Sequence, residues 1–369
     1  MTEGGLFRRA IAGLIPYEPG KPIEEVQREL GLARVVKLAS NEGPYPPFPA
    51  AVEAIERASR ELNRYPDGGV YSLRSALAER HGIRFEEIVV GSGADGVIDL
   101  LSQATLDPGD EIVCGWPSFA SYPLAATKLG AVPKLVPLRA HTYDLDALRE
   151  AIGPRTKLVY VCHPNNPTGT GNGRAELAAF LDRVPAHVLV VLDQAYFEYI
   201  DDPDYADGIE EHFKEGRRLV VLRTFSKIYG LAGLRVGYGV APADVVEATS
   251  KVRRAFDVTA PAQAAALASI GDDGEIARRR AANADGRAAL DSALRAHGLE
   301  PAGPALGNFL FVDVGDGRAF FDRLLRQGVI VRPLASFGAP EAIRVTVGTA
   351  EENAIFAEAL GHVLSGVSS

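Results

Sequence analysis

The segment TFSKIYGLAGLRVG (residues 224–237) places Ser226 and Lys227 directly after an apolar run, with Arg235 eight residues beyond the lysine. A lysine at the end of a strand can attack a carbonyl group when burial or a cationic neighbour lowers the pKa of its amine. A hydroxyl and a guanidinium complement phosphate oxygens. A Ser-Lys pair alone also fits an ordinary surface lysine, so the interpretation depends on the residues that accompany it.

A glycine-rich turn offers a second anion-binding feature. GSGADGVIDLL (91–101) follows the apolar run IVV (88–90) and begins a segment of helical periodicity. The first-turn amides of a helix and the positive end of its dipole favour a bound anion. Alone, such a turn also fits a simple tight turn, but in the company of Ser226 and Arg235 it predicts a phosphate site.

Two more polar residues follow apolar runs. Asn166 lies in HPNNPTG (163–169), where its amide can hydrogen-bond a ring oxygen, and Asp193 ends VLVVLD (188–193). A buried carboxylate without a partner is costly, although Asp193 could simply cap the following turn. A protonated pyridine nitrogen would be a suitable partner and would make the ring a better electron sink. Together with Lys227, these residues predict a pyridoxal 5′-phosphate (PLP) site.

The elements that position these residues alternate between short β-branched runs and longer segments of helical periodicity. The runs are IVV (88–90), EIVC (111–114), LVYVC (158–162), VLVVLD (188–193) and LVVLRT (219–224). Alternation of this kind predicts a mostly parallel sheet covered by helices. Ligands of open α/β sheets bind beyond the carboxyl ends of the strands, where the polar residues above are expected.

The pattern changes after Pro261. An Ala- and Arg-rich helical stretch leads to NFLFVDV (308–314), a helix near 318–327, VIVR (329–332), IRVTV (343–347) and a final helix. This order predicts a smaller α+β domain. The predicted division is an N-terminal segment (1–36) packed on the small domain or on a partner, a large domain (37–258) and a small domain (259–369). Within the helical stretch, Arg278, Arg279 and Arg280 are interpreted as a solvated face.

Composition narrows the possible classes of protein. The 369 residues are 47% hydrophobic and 24% charged, with a net charge of −9, which disfavours nucleic acid and anionic membranes as partners. No stretch resembles a signal peptide or a membrane span, so we expect a soluble, cytoplasmic protein. Cys114 and Cys162 lie in apolar runs and are expected to be buried thiols. No paired-cysteine spacing suggests a metal site.

In combination, GAD, NNPTG, DQAY, SK and the arginine eight residues on resemble the fold-type I aminotransferases over nearly the full length. Within these enzymes the chain is most similar to the histidinol-phosphate aminotransferases. The segments that carry this closer resemblance are LIPYEPGKP (14–22), LASNEGPYPP (38–47), NRYPDGG (63–69), NFLFVDVG (308–315), GVIVRP (328–333) and IRVTVGTAEEN (343–353). The resemblance implies an α/β fold, with a large domain built on a seven-stranded, mostly parallel sheet and a smaller α+β domain.

The resemblance also implies roles for the residues that match the family's motifs. Lys227, Asp193 and Tyr196 would be the catalytic residues. The predicted PLP contacts are Ala94 and Asp95 through their backbone amides, Phe119 by stacking, Asn166 and Tyr196 at the ring hydroxyl oxygen, Asp193 at the pyridine nitrogen, Ser226 and Arg235 at the phosphate, and Lys227 through a Schiff base. Tyr65 would reach the phosphate of the other subunit in a homodimer. Arg344, with Arg332, Tyr17 and Asn41, would bind the anionic end of the substrate.

The implied activity is transamination of L-histidinol phosphate with 2-oxoglutarate, a step of histidine biosynthesis. Four departures from the family's pattern bear on this assignment: DQAY replaces the frequent DEAY, NEGPYPP replaces NENPYGP, Gly96 replaces a Glu or related residue, and Phe119 replaces the frequent Tyr. None removes a catalytic group. The alternatives are an aromatic amino-acid aminotransferase, a PLP-dependent decarboxylase of a phosphorylated amino acid, and the effector-binding half of a regulator, which would need a DNA-binding domain for which this chain has no room.

Overall fold

The protein is built around a mostly parallel sheet, seen in a computed structural model that describes residues 6–14 and 21–365. In chain order, the strands of the described residues are β1 (Val36–Lys37), β2 (Ile88–Gly91), β3 (Glu111–Trp116), β4 (Val132–Pro137), β5 (Thr156–Cys162), β6 (Leu189–Asp193), β7 (Leu219–Thr224), β8 (Gly237–Val240), β9 (Phe309–Asp313), β10 (Val329–Ile330), β11 (Arg332–Leu334) and β12 (Ala339–Thr346). Seven of them form the main sheet in the order β2-β8-β7-β6-β5-β3-β4. Only β8 runs antiparallel to its neighbours in this sheet.

Helices connect and cover the strands. The α-helices of the described residues are α1 (Ile23–Leu30), α2 (Pro49–Ser59), α3 (Tyr71–His81), α4 (Gly93–Thr105), α5 (Ser121–Leu129), α6 (Leu145–Glu150), α7 (Arg174–Arg183), α8 (Ala243–Val252), α9 (Ala260–Ser269), α10 (Asp273–Ala296), α11 (Gly317–Arg326) and α12 (Ala350–Ser365). Short 3₁₀ turns lie at Arg9–Ile11, Phe85–Glu87, Phe197–Tyr199, Ala232–Leu234 and Ala335–Phe337, and a π turn at Ile209–Phe213. None of these helices is long and apolar enough to cross a membrane.

Strands β5, β6 and β7 are adjacent and parallel, so their carboxyl ends meet at one edge of the sheet. The runs LVYVC, VLVVLD and LVVLRT, all predicted as strands, form these elements with shifts of two residues at most. Their residues are almost entirely buried, as expected for a sheet covered on both faces. Asp193 ends β6 at this common edge, and the loops that follow β5 and β7 bring Asn166 and Lys227 to it.

Two strands of the main sheet, β4 and β8, are not predicted by the sequence pattern. Strand β4 reads VPKLVP and lies at the sheet edge, where proline is tolerated because one side of the strand needs no hydrogen-bond donors. Strand β8 reads GYGV, and glycine is unfavourable in a strand unless another backbone must come close. A Cβ at Gly237 would collide with the backbone of Gly93 and Ala94, so a glycine is needed there.

A second sheet and its own apolar core lie toward the C-terminus. Strands β11, β12 and β9 form an antiparallel sheet, whereas β10 pairs with β1. The predicted strand VIVR is therefore two strands, β10 and β11, that belong to different sheets. The second core includes Val26 and Val36 from the N-terminal part of the chain. Helix α10 contributes to both cores, with Ile276 in the first and Leu290 and Leu294 in the second. The domain boundaries at residues 36 and 258 stay a prediction.

The arginine triplet on α10 is not a solvated face, so that interpretation is wrong. Only Arg278 has a largely exposed side chain, whereas Arg279 is 4% exposed and Arg280 is partly buried. Arg280 donates to the carbonyl of Glu198, and Arg279 donates to two loop carbonyls and to Glu275. These acceptors compensate the desolvation of both guanidinium groups.

The two cysteines occupy the positions expected for core residues. Cys114 lies in β3 and Cys162 at the end of β5, and both are buried free thiols, as predicted. Burial raises the pKa of the Cys114 thiol to about 12. Neither side chain has the exposed thiolate character of a reactive cysteine.

We expect Gly237→Ala to lower the free energy of unfolding by about 1–3 kcal/mol, because the added methyl group would push β8 away from the start of α4. Thermal unfolding of the purified protein measures this loss. Gly233→Ala is the matched control, since Gly233 is exposed, has no positive φ and has open space around the Cβ position. Equal unfolding midpoints for the two variants would contradict the close approach.

Candidate active site

Lys227 lies three residues after β7, half-buried at the carboxyl edge of the main sheet. Burial is the largest cause that lowers the pKa of its amine to about 7, and the charge of Arg344 lowers it further. Glu42 acts in the opposite direction. The amine lies 5.3 Å from the centre of the Tyr196 ring. A substantial fraction of Lys227 is therefore neutral, and hence nucleophilic, at neutral pH.

Asp193 is the last residue of β6, and it is 3% exposed. The Tyr122 hydroxyl donates to one carboxylate oxygen over 2.6 Å, and the backbone amide of Ala195 donates to the other over 3.1 Å. Burial nevertheless raises the pKa of Asp193, because both donors are neutral. A cation against this carboxylate would lower its pKa and stabilise its charge. The site therefore suits a ligand with a protonated nitrogen.

Tyr122 is not among the predicted site residues, although its hydroxyl donates to Asp193. It is fully buried in α5 and stacks on Tyr160, with 4.4 Å between ring centres. It also meets Phe119 edge-on at 5.6 Å. The contact with Asp193 joins residues 71 positions apart, and an aromatic residue in an amphipathic segment is ordinarily read as core. No spacing signal in a single sequence identifies such a pair.

A cradle for a phosphate lies where α4 begins. Gly93 has a left-handed φ of +77°, and a Cβ there would lie 2.8 Å from a guanidinium nitrogen of Arg235. Arg235 itself has a φ of +55°, a strained conformation that often marks a functional position. Its guanidinium also lies 3.5 Å from the Ser226 hydroxyl. Arg235 and Asp95 line one cavity beside the first turns of α4.

The groups of this cradle match the chemistry of a phosphate monoester. The amides of Ala94 and Asp95 belong to the first turn of α4, where backbone N–H groups lack helical partners. A hydroxyl from Ser226 and a guanidinium from Arg235 supply further donors. The described residues thus fit both ends of PLP, because the phosphate cradle and the buried Asp193 carboxylate lie at the same edge of the sheet.

A polar chain links the rest of the predicted site. The side-chain amide of Asn41 donates to the Tyr196 hydroxyl over 3.0 Å, and Asn41 in turn contacts Thr346 of β12. The Arg344 guanidinium donates to the Asn166 side-chain oxygen and, over 2.6 Å, to the carbonyl of Ala39. Burial raises the pKa of the Tyr196 phenol, so its hydroxyl stays protonated. These hydrogen bonds therefore bring together four of the predicted site residues, namely Asn41, Asn166, Tyr196 and Arg344.

Two buried arginines form the cationic side of the cleft. Arg332 of β11 pairs in register with Arg344 of β12, and the two are 7% and 4% exposed. Both guanidinium groups lie over the Phe337 ring, at 5.6 and 5.7 Å from its centre. Fork-shaped donors of this kind suit a carboxylate or a phosphate.

Two predicted site residues are not placed among these groups. Tyr65 is 81% exposed and stacks on Phe256, with ring centres 4.5 Å apart. Phe256 lies two residues after Arg254, which lines the same cavity as Arg235, so Tyr65 lies near the cradle but faces solvent. Tyr17 lies outside the described residues.

The geometry therefore combines an amine of lowered pKa, a buried carboxylate whose hydrogen-bond donors among the described residues are neutral, a phosphate cradle and an anion-binding arginine pair. Such a set can bind a phosphorylated pyridine, hold its carbonyl group through Lys227 and orient an anionic substrate beside it. A lysine amine released close to the reacting carbon could then move a proton at the substrate.

Comparisons with known proteins identify the family. Residues 33–360 match the model of the family described as aminotransferase class I and II. A histidinol-phosphate aminotransferase of Moorella thermoacetica is 46% identical over 97% of this chain and 93% of its own length. One from Akkermansia muciniphila is 47% identical over 99% of this chain and 100% of its own.

The fold has a close counterpart among solved structures. The histidinol-phosphate aminotransferase of Sinorhizobium meliloti, determined in complex with pyridoxal-5′-phosphate, superimposes with a TM-score of 0.89 over 100% of both chains at 28% identity. The predicted fold class is confirmed by this match. With the family model and the relatives above, it shows that the chain belongs to the class I and II aminotransferase family.

Proposed function

We propose that the protein catalyses PLP-dependent transamination of L-histidinol phosphate with 2-oxoglutarate, giving imidazole acetol phosphate and glutamate. The observation that carries the proposal is the full-length similarity, at 46–47% identity, to relatives named histidinol-phosphate aminotransferase. The buried pair Arg332 and Arg344 supports an anionic donor. The reaction belongs to histidine biosynthesis, and a cytoplasmic location stays a prediction.

The residues that would hold PLP are those at the carboxyl edge of the sheet. They are the Ala94 and Asp95 amides, Ser226 and Arg235 at the phosphate, Phe119 at the ring face, Asn166 and Tyr196 at the ring hydroxyl oxygen, Asp193 at the pyridine nitrogen, and Lys227 at the aldehyde carbon. The carboxylate of Asp193, anchored by Tyr122, would keep the pyridine nitrogen protonated.

When bound, PLP supplies an electron sink that stabilises negative charge at the substrate's α-carbon. The remaining steps belong to the protein. Lys227, once its amine is free, would act as the base that takes the proton from the substrate's α-carbon and as the acid that gives it back. Its lowered pKa suits this exchange, because a base works best when its pKa is near the working pH.

Recognition of the donor would rest on the arginine pair. Arg344 is fixed by Asn166 and Ala39, so its guanidinium is already oriented before substrate arrives. A phosphate carries more charge and one more oxygen than a carboxylate. Arg332, which lies beside Arg344, would donate hydrogen bonds to this additional oxygen. Asn41 would complete this end of the site.

A homodimer is the proposed assembly. Exposed apolar side chains surround the segment that carries Tyr65, namely Leu62, Tyr71 and Phe256. Aromatic residues are enriched at protein interfaces, and Tyr65 is 81% exposed in the single subunit. Its hydroxyl would complete the phosphate cradle of the partner subunit.

Borohydride treatment of the yellow holoenzyme should attach the cofactor irreversibly to Lys227, as peptide mapping would show. The rate at which cofactor-free protein forms this bond should rise about tenfold per pH unit below pH 7 and level off above it, because only the neutral amine reacts. Lys227→Ala is the control for pH effects on non-covalent binding. A label on another lysine would refute the assignment.

Arg344→Lys should lower kcat/KM for histidinol phosphate by roughly 10²-fold, and by less for phenylalanine, because lysine keeps the charge but loses the fork. Steady-state kinetics with both donors and 2-oxoglutarate measures the difference, and Arg326→Lys on the exposed side of α11 serves as a control. A wild-type preference for phenylalanine or tyrosine would instead assign the protein to aromatic amino acids. Release of CO₂ would identify a decarboxylase.

Mixing Tyr65→Phe subunits with Lys227→Ala subunits tests the shared site. If Tyr65 acts across the dimer, each heterodimer contains one site with both lesions and one wild-type site, so activity should reappear on mixing. If Tyr65 acts within its own subunit, neither site of the heterodimer is intact. Both homodimers must first be shown to be impaired, and unchanged phosphate affinity in Tyr65→Phe would argue against the contact.

A further inference from the structure

Two loops that border the site pack directly on each other. The asparagine loop (residues 41–48) carries Asn41 and Glu42, and the lysine loop (residues 225–231) carries Lys227. A Cβ at Gly43 would lie 2.8 Å from the carbonyl oxygen of Lys227. Gly230 has a φ of +70°, and a Cβ there would lie 3.0 Å from the carbonyl oxygens of Tyr45 and Pro46. The backbones of both loops are therefore in contact, with no side chain between them.

Arg279 of α10 joins these two loops by hydrogen bonds. One terminal nitrogen of its guanidinium donates to the carbonyl of Ile228 over 3.0 Å, and the other donates to the carbonyl of Pro46 over 2.7 Å. The Nε atom donates to Glu275 over 2.7 Å. All three nitrogens are thus engaged by acceptors from three different segments of the chain.

The surroundings of Arg279 limit its movement. Its guanidinium lies over the Phe48 ring at 4.5 Å and near the Tyr45 ring at 5.6 Å, so the asparagine loop meets it with both a carbonyl and two aromatic faces. The side chain is 4% exposed. A planar fork is suited to holding two carbonyls at once, which a lysine ammonium on a flexible stem does less well.

We propose that Arg279 is a positioning residue that sets the distance between the asparagine loop and Lys227, and thereby the burial of the Lys227 amine. The inference rests on the proposed role of Lys227 in the reaction. Arg279 contacts the carbonyl of Ile228, the residue next to Lys227, and would act on the lysine through the two loops.

This placement has a measurable effect on Lys227. Burial is the largest cause of the low pKa of its amine, and the charged groups that act on it are Arg344, Glu42, Arg235 and Asp193. If the asparagine loop moves away, water reaches the amine and its pKa rises toward the ordinary value. Glu42 would recede at the same time and act in the opposite direction, but its effect is smaller than that of burial.

Glu275, the carboxylate partner of Arg279, does not change its protonation state in the pH range of the experiment. The hydrogen bond from Arg278, together with Arg279, lowers the pKa of Glu275 to about 2. The Glu275 carboxylate therefore stays charged at any pH at which the enzyme would be assayed. A change in the pH profile of Lys227 can then be attributed to the loops.

Arg278 provides a matched control. It bonds to the same Glu275 through two nitrogens at 2.7 Å and lies over the same Tyr45 ring at 4.9 Å. Its side chain is 53% exposed. Arg278→Lys therefore removes a guanidinium that shares the carboxylate and aromatic contacts of Arg279 but lacks its two loop carbonyls.

The experiment measures acetylation of Lys227 by acetic anhydride in full-length, cofactor-free protein across a pH series, with exposed Lys157 as the internal reference. In wild type and Arg278→Lys, the midpoint should lie near the Lys227 pKa of about 7. In Arg279→Lys and Arg279→Gln, it should rise by ~1 pH unit. With cofactor restored, kcat should fall by roughly tenfold in the Arg279 variants, with a smaller change in KM.

Thermal unfolding of every variant shows whether the labelling is measured on folded protein, and Arg279→Lys is retained as the milder change if Arg279→Gln unfolds. A midpoint that stays near 7 in a folded Arg279 variant overturns the proposal, even if activity falls, because a purely structural role would leave Lys227 unmoved. The labelling needs no turnover. Absence of amine transfer by wild type would therefore refute the proposed function without affecting this result.

Discussion

The desolvation of Asp193 is the constraint on which the site depends. A carboxylate at the end of a fully buried strand is destabilised, and the neutral donors Tyr122 and Ala195 only partly compensate it. Its charge is best stabilised by a cation, and the neighbouring strand ends supply the remaining groups that a phosphorylated pyridine needs. Strands β5, β6 and β7 are adjacent and parallel, so their carboxyl ends place those groups at one edge of the sheet. The strand order therefore determines both the fold and the position of the site.

The departure at Gln194 from the family's frequent glutamate also has a structural reason. The side-chain oxygen of Gln194 accepts from the amide of Gly208 and from Arg223, while its nitrogen donates to the carbonyl of Ala206 over 2.8 Å. A carboxylate could not make the last of these contacts, because it has no proton to donate. Arg223 is further balanced by Asp207 at 2.8 Å. The Gln194 amide therefore joins β6 to the segment around Ala206 and Gly208 and to Arg223, and it takes no part in the hydrogen bonds of the neighbouring Asp193.

Much of the site was predictable because apolar β-branched runs mark strands, and the polar residues at or shortly after the end of each run are thereby placed at the sheet edge. Asn166, Asp193 and Lys227 were found in this way. Contacts between distant segments leave no such pattern, which is why Tyr122 was missed and Arg279 was misread as solvated. Strands β4 and β8 were not predicted, because proline and glycine lower strand propensity. The prolines of β4 are tolerated at the sheet edge, and Gly237 of β8 is needed where another backbone comes close. Tyr65 matches a family motif, but in the single subunit its ring stacks on Phe256 and faces solvent, away from the other predicted site residues.

Helix α10 has a further consequence for how the molecule gains its stability. Because Ile276 packs in one core and Leu290 and Leu294 pack in the other, neither core is complete without the same continuous helix. Fraying that helix would expose apolar surface on both sides of the cleft at once, so the two halves are coupled energetically as well as by the chain. Cooperative unfolding is then built into the architecture, and the two cores cannot readily be separated or exchanged as independent modules.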